Sequence, residues 1–321
     1  MVGTDVHHVV GRGFRPLRAQ RSVAHMTTTR IVGLGSMGAG MARNLLKGGF
    51  ALAVDDIDAD RVATLVAEGA VAAQPGPVGD DVVILSLPAP QHVTAVCFGD
   101  EGLIARMRPG ATLVNASTVD LPTARHLGEV CATAGVLYVD GPVTGAADSA
   151  ASGRLVFMCG ATDAALAAAL PQLEAMGNEI VLLGPAPAGT ASKLLTNMLW
   201  FIHVAALSDS MSLAARCGVD IDRFAELVQG GNCAANSWVA RHDLPNILAD
   251  DDDPSFTLAL CVKDLRLIGE LETEVGYSSD FTAAARMRFD AAHERFGPDT
   301  GELAVTRIAE TAAQTSIRSP R

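Results

Sequence analysis

Lysine is almost missing from this chain. Only Lys47, Lys193 and Lys263 occur among 24 basic residues, and every other one is arginine. Aromatic residues are as thin, at 4%, so the core has to come from aliphatic side chains, which the 49% apolar content supplies. The six cysteines (Cys97, Cys131, Cys159, Cys217, Cys233, Cys261) contain no Cys-x-x-Cys pair, which excludes a zinc ribbon and a secreted disulfide framework. Reduced core thiols in a cytoplasmic protein are expected instead. A net charge of −12 leaves no basic surface for nucleic acid or an acidic membrane, both of which need clustered Lys and Arg. No run of about 18 uninterrupted apolar residues occurs, so no membrane span is expected. The acidic run from Asp250 to Asp253 reads as a solvated loop, because nothing spaces ligands around an ion; no metal is expected. Small-molecule ligands are what remain.

At 321 residues the chain exceeds a typical core of roughly 100 to 200 residues, so two domains are expected. Residues 1–29 are Arg-rich, nearly free of acids and unpatterned. A transit peptide, a disordered leader and a start site upstream of Met26 all fit that composition. From Arg30 to Pro187, the apolar runs RIVGL, ALAVD, DVVILSL, ATLVNAS, VLYVDG and RLVFMCG alternate with amphipathic stretches such as 61–68 and 122–134. Strand, helix, strand at this spacing implies βαβ units and a largely parallel sheet covered on both faces. After Pro185 and Pro187 the strand signals vanish, and one helical pattern runs from Gly189 to about Cys217, where Gly218 stops it. The expected fold is a doubly wound, mainly parallel α/β domain of Rossmann type over 30–187. A long helix joins it to an all-α domain over 188–310, followed by a flexible tail over 311–321.

The turn after the first strand reads Gly33-Leu34-Gly35-Ser36-Met37-Gly38, a G-x-G-x-x-G between strand and helix, with Asp56 following a second strand. Gly33 permits the tight turn, Gly35 lets backbone approach a pyrophosphate, Gly38 packs helix on strand, and the helix N-terminus offers N–H groups and positive dipole. Asp56 can accept both ribose hydroxyls, while its charge repels the extra phosphate of NADP. NAD is therefore the expected cofactor over NADP. Arg61 is the one nearby residue that argues the other way.

Five ordered motifs resemble the β-hydroxyacid dehydrogenases, the group of 3-hydroxyisobutyrate dehydrogenase, L-threonate dehydrogenase and tartronate semialdehyde reductase. GLGSMGAGMARNL resembles the cofactor loop, LSLPAPQHV and NASTVD the turns flanking the nicotinamide, DGPVTGAADSAASGRL the substrate loop, GTASKLLTN the catalytic helix, and SFTLALCVKDLRLI a late K-D-L segment. The resemblance implies NAD-dependent oxidation of a small 3-hydroxy acid, or the reverse reduction, most like 3-hydroxyisobutyrate dehydrogenase. An acid-sugar dehydrogenase of the L-threonate or tartronate semialdehyde type is the alternative. An imine reductase-type relative or a non-catalytic NAD-binding regulator is disfavoured by Lys193 and Asn197.

Lys193 and Asn197 are four residues apart and share one helix face, which Trp200 and Val204 extend. The resemblance implies that Lys193 is the general acid and base for the substrate hydroxyl and that Asn197 orients it or the substrate. An arginine could not do this, since a guanidinium does not release its proton in proteins. Leu87 and Pro88 are implied beside the nicotinamide, Ser117 and Thr118 as hydrogen-bond partners of its ribose or amide, and Lys263 over the cofactor from the helical domain. Where the family carries Ser-Gly-Gly against the substrate carboxylate, this chain has Thr144, Gly145 and Ala146. Ala146 is expected to keep a negative φ, because a Cβ opposes left-handed backbone. Asp148 and Ser149 depart from the family's small residues and lean the reading toward a polar or polyhydroxylated substrate. Asn232, Asn236, Ser237, Trp238 and His242 are candidates for the pocket wall, with core and capping roles left open. Trp238 is carried forward as a substrate contact, and His203 as a core histidine. Apolar residues on more than one face of the long helix imply a homodimer or homotetramer.

Overall fold

The computed structural model describes residues 27–251 and 253–318. The leader expected over 1–29 lies outside the described residues except for its last three. The strands are β1 (Thr28–Val32), β2 (Ala51–Asp55), β3 (Val71–Ala72), β4 (Val82–Leu85), β5 (Thr112–Asn115), β6 (Leu137–Asp140), β7 (Val143–Thr144), β8 (Leu155–Ala161) and β9 (Gly177–Gly184). The helices are α1 (Ser36–Lys47), α2 (Ala59–Ala67), α3 (Pro90–Cys97), α4 (Leu103–Arg106), α5 (Leu121–Thr133), α6 (Ala146–Ser152), α7 (Asp163–Met176), α8 (Ala188–Arg216), α9 (Ile221–Gln229), α10 (Leu244–Ala249), α11 (Leu258–Val275), α12 (Asp280–Phe296) and α13 (Thr306–Ala313).

The strands order β3-β2-β1-β4-β5-β6-β8-β7, with β9 on β8. Pairing is parallel from β3 through β6 and between β8 and β9, and antiparallel where β8 meets β6 and β7. The winding reverses at β1, between β2 and β4, and opens a crevice beyond the carboxyl ends of the strands, where sheets of this kind bind ligands. Alternation along the strands fills both faces. Ile31, Val54 and Ile84 pack against α1 and α7, whereas Val32, Val83 and Leu85 pack against α3 and α5.

β1 begins at Thr28 rather than Arg30, because Thr28 and Thr29 pair with Ala51 and Leu52 although neither is apolar. β3 and β7 are too short for any alternation to register. β9 escapes because α7 runs into it at Met176–Gly177 with no turn residues between them.

The long helix α8 forms the axis of the second domain. Leu194, Phe201 and Val204 pack against α11 and α12, and Met211 packs against α9, α10 and Leu303. Phe201 and Phe289 meet edge to face at 5.0 Å, each fully buried and worth about 2 to 3 kcal/mol of apolar transfer. By length and composition alone α8 could cross a membrane. It also carries Lys193, Asp209 and Arg216, and lies along the core of its own domain. The expected tail is different too: α13 continues to Ala313, Ile317 is buried, and the Arg318 guanidinium bonds Glu310, the Ile247 carbonyl and Asp250. Asp250 also pairs with Arg307, so it is not simply solvated. The cysteines are free, but only Cys97, Cys131, Cys159 and Cys261 are core thiols; Cys217 is exposed and Cys233 half-buried. Burial pushes the Cys97, Cys131 and Cys159 thiols up to about 12, which makes them inert.

Candidate active site

The glycine turn opens into the crevice between β1 and β4. Gly33 has φ 95°, donates its N–H to the Asp55 carbonyl at 2.8 Å, and lies so close to the Ser86 carbonyl that no side chain would fit. Gly38 sits directly over the Gly33 carbonyl. α1 then starts with no side-chain cap and no acid in its first turn, and its N-cap Gly35 has open space where a side chain would stand. Unsatisfied N–H groups, positive dipole and a cleared approach fit the pyrophosphate of a dinucleotide. Ser36 is exposed here, and Met37 is half-buried. The Leu34 side chain is 2% exposed and belongs to the core, so only its backbone faces the turn. Its N–H donates to Asp56 at 2.5 Å, which brings the acid beside the loop. Arg61 is paired with Asp58 at 3.1 Å and approaches the open space at Gly35.

One chain of contacts crosses from the sheet to α8. The Ser117 hydroxyl accepts the Leu87 N–H at 2.9 Å, which locks the turns after β4 and β5 side by side. This oxygen is engaged by protein, whereas Thr118 remains half-exposed and Asp120, not Thr118, caps α5. From α11, Lys263 donates to the Pro88 carbonyl at 3.1 Å and pairs with Asp264 at 2.8 Å. The other oxygen of Asp264 accepts the Asn197 side-chain N–H at 2.6 Å. Asp264 is 2% exposed, a buried carboxylate held between a lysine and an amide. Lys193 is the second lysine of this group, with Asp264 and Lys263 as its charged neighbours. Burial pulls its pKa from 10.5 down to about 8, with Lys263 acting in the same direction and Asp264 opposing both. A lysine at about 8 exchanges its proton near neutral pH, which a general acid and base requires. Asp264 has no assigned role in the sequence reading. The signal that could have found it was an acid inside an otherwise apolar helical run, LALCVKDLRLI.

The loop expected to receive the substrate lies between β7 and α6. Thr144 ends β7 opposite Val156 and is half-exposed. Gly145 has φ 125°, and Ser149 leans over it where a side chain would be. Ala146 has φ 57°, which overturns the expectation of a negative angle. A positive φ of this kind costs an L-residue about 1–2 kcal/mol. Asp148 is exposed on the first turn of α6. α6 itself is clamped to the cofactor helix: Asn44 of α1 donates to the Ala150 carbonyl at 2.6 Å, and Gly40 of α1 touches the Ala150 backbone.

Trp238 stands apart from this chain of contacts. It is exposed and stacks on His242 at 3.7 Å, next to Asp243, which accepts the Trp200 indole N–H of α8 at 2.9 Å. Asn236 and Ser237 serve as caps, holding the Gly230 carbonyl and the Ala240 N–H. His203 is exposed, not a core residue. Among the described residues no group of three His, Cys, Asp or Glu side chains could hold a metal ion.

The NAD binding domain of 6-phosphogluconate dehydrogenase, as a family, matches residues 28–184, and the family described as NAD-binding of NADP-dependent 3-hydroxyisobutyrate dehydrogenase matches residues 187–309. The chain is 36% identical over 259 residues to NAD-dependent L-serine dehydrogenase of Pseudomonas aeruginosa, covering 76% of this chain and 85% of that protein. It is 33% identical over 263 residues to L-threonate dehydrogenase of Cupriavidus necator, covering 81% and 88%. A solved 3-hydroxyisobutyrate dehydrogenase from Salmonella typhimurium matches with a TM-score of 0.77 at 28% identity, over 88% of this chain and 99% of that one. A reversed βαβ winding with a glycine turn, completed by a helical domain, defines a dehydrogenase that binds a nicotinamide dinucleotide. The chain belongs to the β-hydroxyacid dehydrogenase family. Its chemistry is the NAD(P)-dependent dehydrogenation of a 3-hydroxy acid.

Proposed function

We propose that this chain oxidises a small 3-hydroxy carboxylic acid of the 3-hydroxyisobutyrate type to its semialdehyde, or reduces the semialdehyde, with Lys193 carrying the proton. The observation that bears this reading is Lys193, its pKa lowered by burial, beside half-buried Asn197 and Lys263 and the buried Asp264 that joins them, a group that spans both domains. When bound, the nicotinamide supplies the hydride acceptor. The chain's own residues handle the rest: neutral Lys193 takes the hydroxyl proton during oxidation, its ammonium returns it during reduction, and Asn197, fixed by Asp264, keeps a donor beside the reacting oxygen. Thr144 and the backbone at Gly145 and Ala146 receive the substrate carboxylate. Leu87, Pro88, Ser117, Thr118 and Lys263 form the nicotinamide side, and Gly33 to Gly38 with Asp56 the phosphate and ribose side.

Asp56 favours NAD, since a second phosphate would meet its carboxylate while Arg61 is engaged by Asp58. The exposed Asp148 favours a second reading in which the substrate carries further hydroxyls, as in L-threonate. A panel of 3-hydroxyisobutyrate, L-serine, L-threonate, glycerate and 4-hydroxybutyrate, each with NAD and NADP, tests both points. The expected outcome is highest kcat/KM for 3-hydroxyisobutyrate with NAD; a preference for NADP would overturn the role given to Asp56.

The exposed Leu195, Leu199 and Leu213 along α8 support a homodimer or homotetramer, which a monomer mass by light scattering would refute. Free cysteines throughout support a reducing, cytoplasmic location.

A further inference from the structure

Asp140 has no part in the chemistry described so far, yet it is a carboxylate with no exposed surface at the end of β6. Its neighbours explain the expense of burying it. α8 has no side-chain cap of its own, since its N-cap is Pro187. Asp140 supplies that cap from the sheet, accepting the Thr190 N–H at 2.7 Å and the Thr190 hydroxyl at 2.6 Å, with a further bond from the Gly189 N–H. A carboxylate at these positions satisfies orphan donors of the first turn and lies at the positive end of the helix dipole. Two glycines make the approach close enough. A side chain at Gly189 would collide with the carbonyls of Asp140 and Met158, and one at Gly160, the residue paired with Asp140 across β6 and β8, would meet the N–H groups of Ala188 and Gly189.

We propose that Asp140 is a positioning residue for proton transfer: with Thr190 it fixes the start and rotation of α8, and thereby the place of the Lys193 amine one turn further on. The inference rests on Lys193 being the proton carrier. Lys193 lies three positions beyond Thr190, so the pinned turn and the lysine belong to the same rigid stretch of helix. An isosteric loss at Thr190 therefore acts at the amine, where a displacement on the order of 1 Å costs about 100-fold in rate. No charge of Asp140 is needed at Lys193, whose charged neighbours are Asp264 and Lys263.

The test compares Thr190→Val, Thr190→Ser, Asp140→Asn and Lys193→Met in the full-length protein. Thr190→Val keeps the backbone N–H and side-chain volume but removes the hydroxyl. Its kcat is expected to fall roughly 10- to 100-fold, with KM for the hydroxy acid and Kd for NADH within about twofold of wild type. The midpoint of its kcat/KM–pH profile is expected to rise above about 8, because a displaced ammonium regains water. Thr190→Ser restores both. Asp140→Asn is expected to follow Thr190→Val, and Thr190→Val decides the matter if Asp140→Asn does not fold. An unchanged kcat and pH midpoint in Thr190→Val, or a loss seen only in melting temperature or NADH affinity, would overturn the positioning role. If Lys193→Met still transfers hydride at the wild-type rate, the proton-carrier reading fails first, a result distinct from an unaffected Thr190→Val.

Discussion

Replacing Lys193 by methionine is expected to lower kcat by about 10²- to 10⁴-fold, the range general acid–base catalysis supplies, and at the same time to make the protein more stable at neutral pH. Both effects have one cause. Burial pulls the lysine from 10.5 to about 8, so holding it protonated in the fold costs on the order of 3 kcal/mol. The sign follows from linkage: the unfolded chain holds this proton more tightly than the folded one. The cost is full below about pH 8, shrinks as pH rises, and vanishes above 10.5, where both states are neutral. Methionine fills similar volume without a charge, and Asp264 keeps Lys263 and Asn197 as partners. Thermal melts at pH 7 should therefore show a stabilised variant, and melts near pH 10.5 should show none. NADH affinity should stay within about twofold, since the phosphate turn is built elsewhere. For wild type, kcat/KM for oxidation should climb through about pH 8 and kcat/KM for reduction should fall through it, because the two directions need opposite forms of the amine. A methionine variant that reduces semialdehydes at full rate in a single turnover would remove Lys193 from the mechanism.

What could be read in the sequence was whatever is encoded by short spacing. Gly33, Gly35 and Gly38 fall within one turn, Lys193 and Asn197 within one helical face, and the six long apolar runs each report their own strand. The partners of Asn197 and Thr190 were hidden because they are distant in the chain: Asp264 lies 67 residues from Asn197, and Asp140 lies 50 from Thr190. Nothing in the local pattern of a buried acid says which helix it will meet. The same limit explains Leu34 and Ser117, which lie just past the ends of β1 and β5. Which way a side chain turns there depends on the neighbouring strand, and Leu34 turns into the core while the Ser117 oxygen turns to Leu87. Ala146 shows the opposite failure. Residue type argued for negative φ, yet Ala146, at the start of α6, has φ 57°, so local preference yielded to the tertiary setting of a helix packed on α1 through Asn44 and Gly40.

Gly38→Ala is expected to weaken NADH binding about 100-fold or more, close to 3 kcal/mol, while leaving the chemistry at Lys193 intact in whatever fraction binds. The added Cβ would fall on the Gly33 carbonyl, with the Ser86 side chain 3.3 Å away. Neither obstacle can turn aside. Gly33 is fixed at φ 95° by its bond to the Asp55 carbonyl and by the Ser86 backbone pressing on its other side. α1 must therefore back away from β1, and its first-turn N–H groups leave the position at which a pyrophosphate would meet them. The movement also reaches α6 through Asn44, so KM for the hydroxy acid should rise as well, though by less. Gly79→Ala is the matched control, a glycine of the same domain with nothing within 4 Å of the added carbon, and should bind NADH as wild type does. Fluorescence titration of NADH against the two variants measures the contrast directly. Equal affinities would mean that the helix can shift without loss, and the turn from Gly33 to Gly38 would no longer qualify as the seat of the cofactor phosphates.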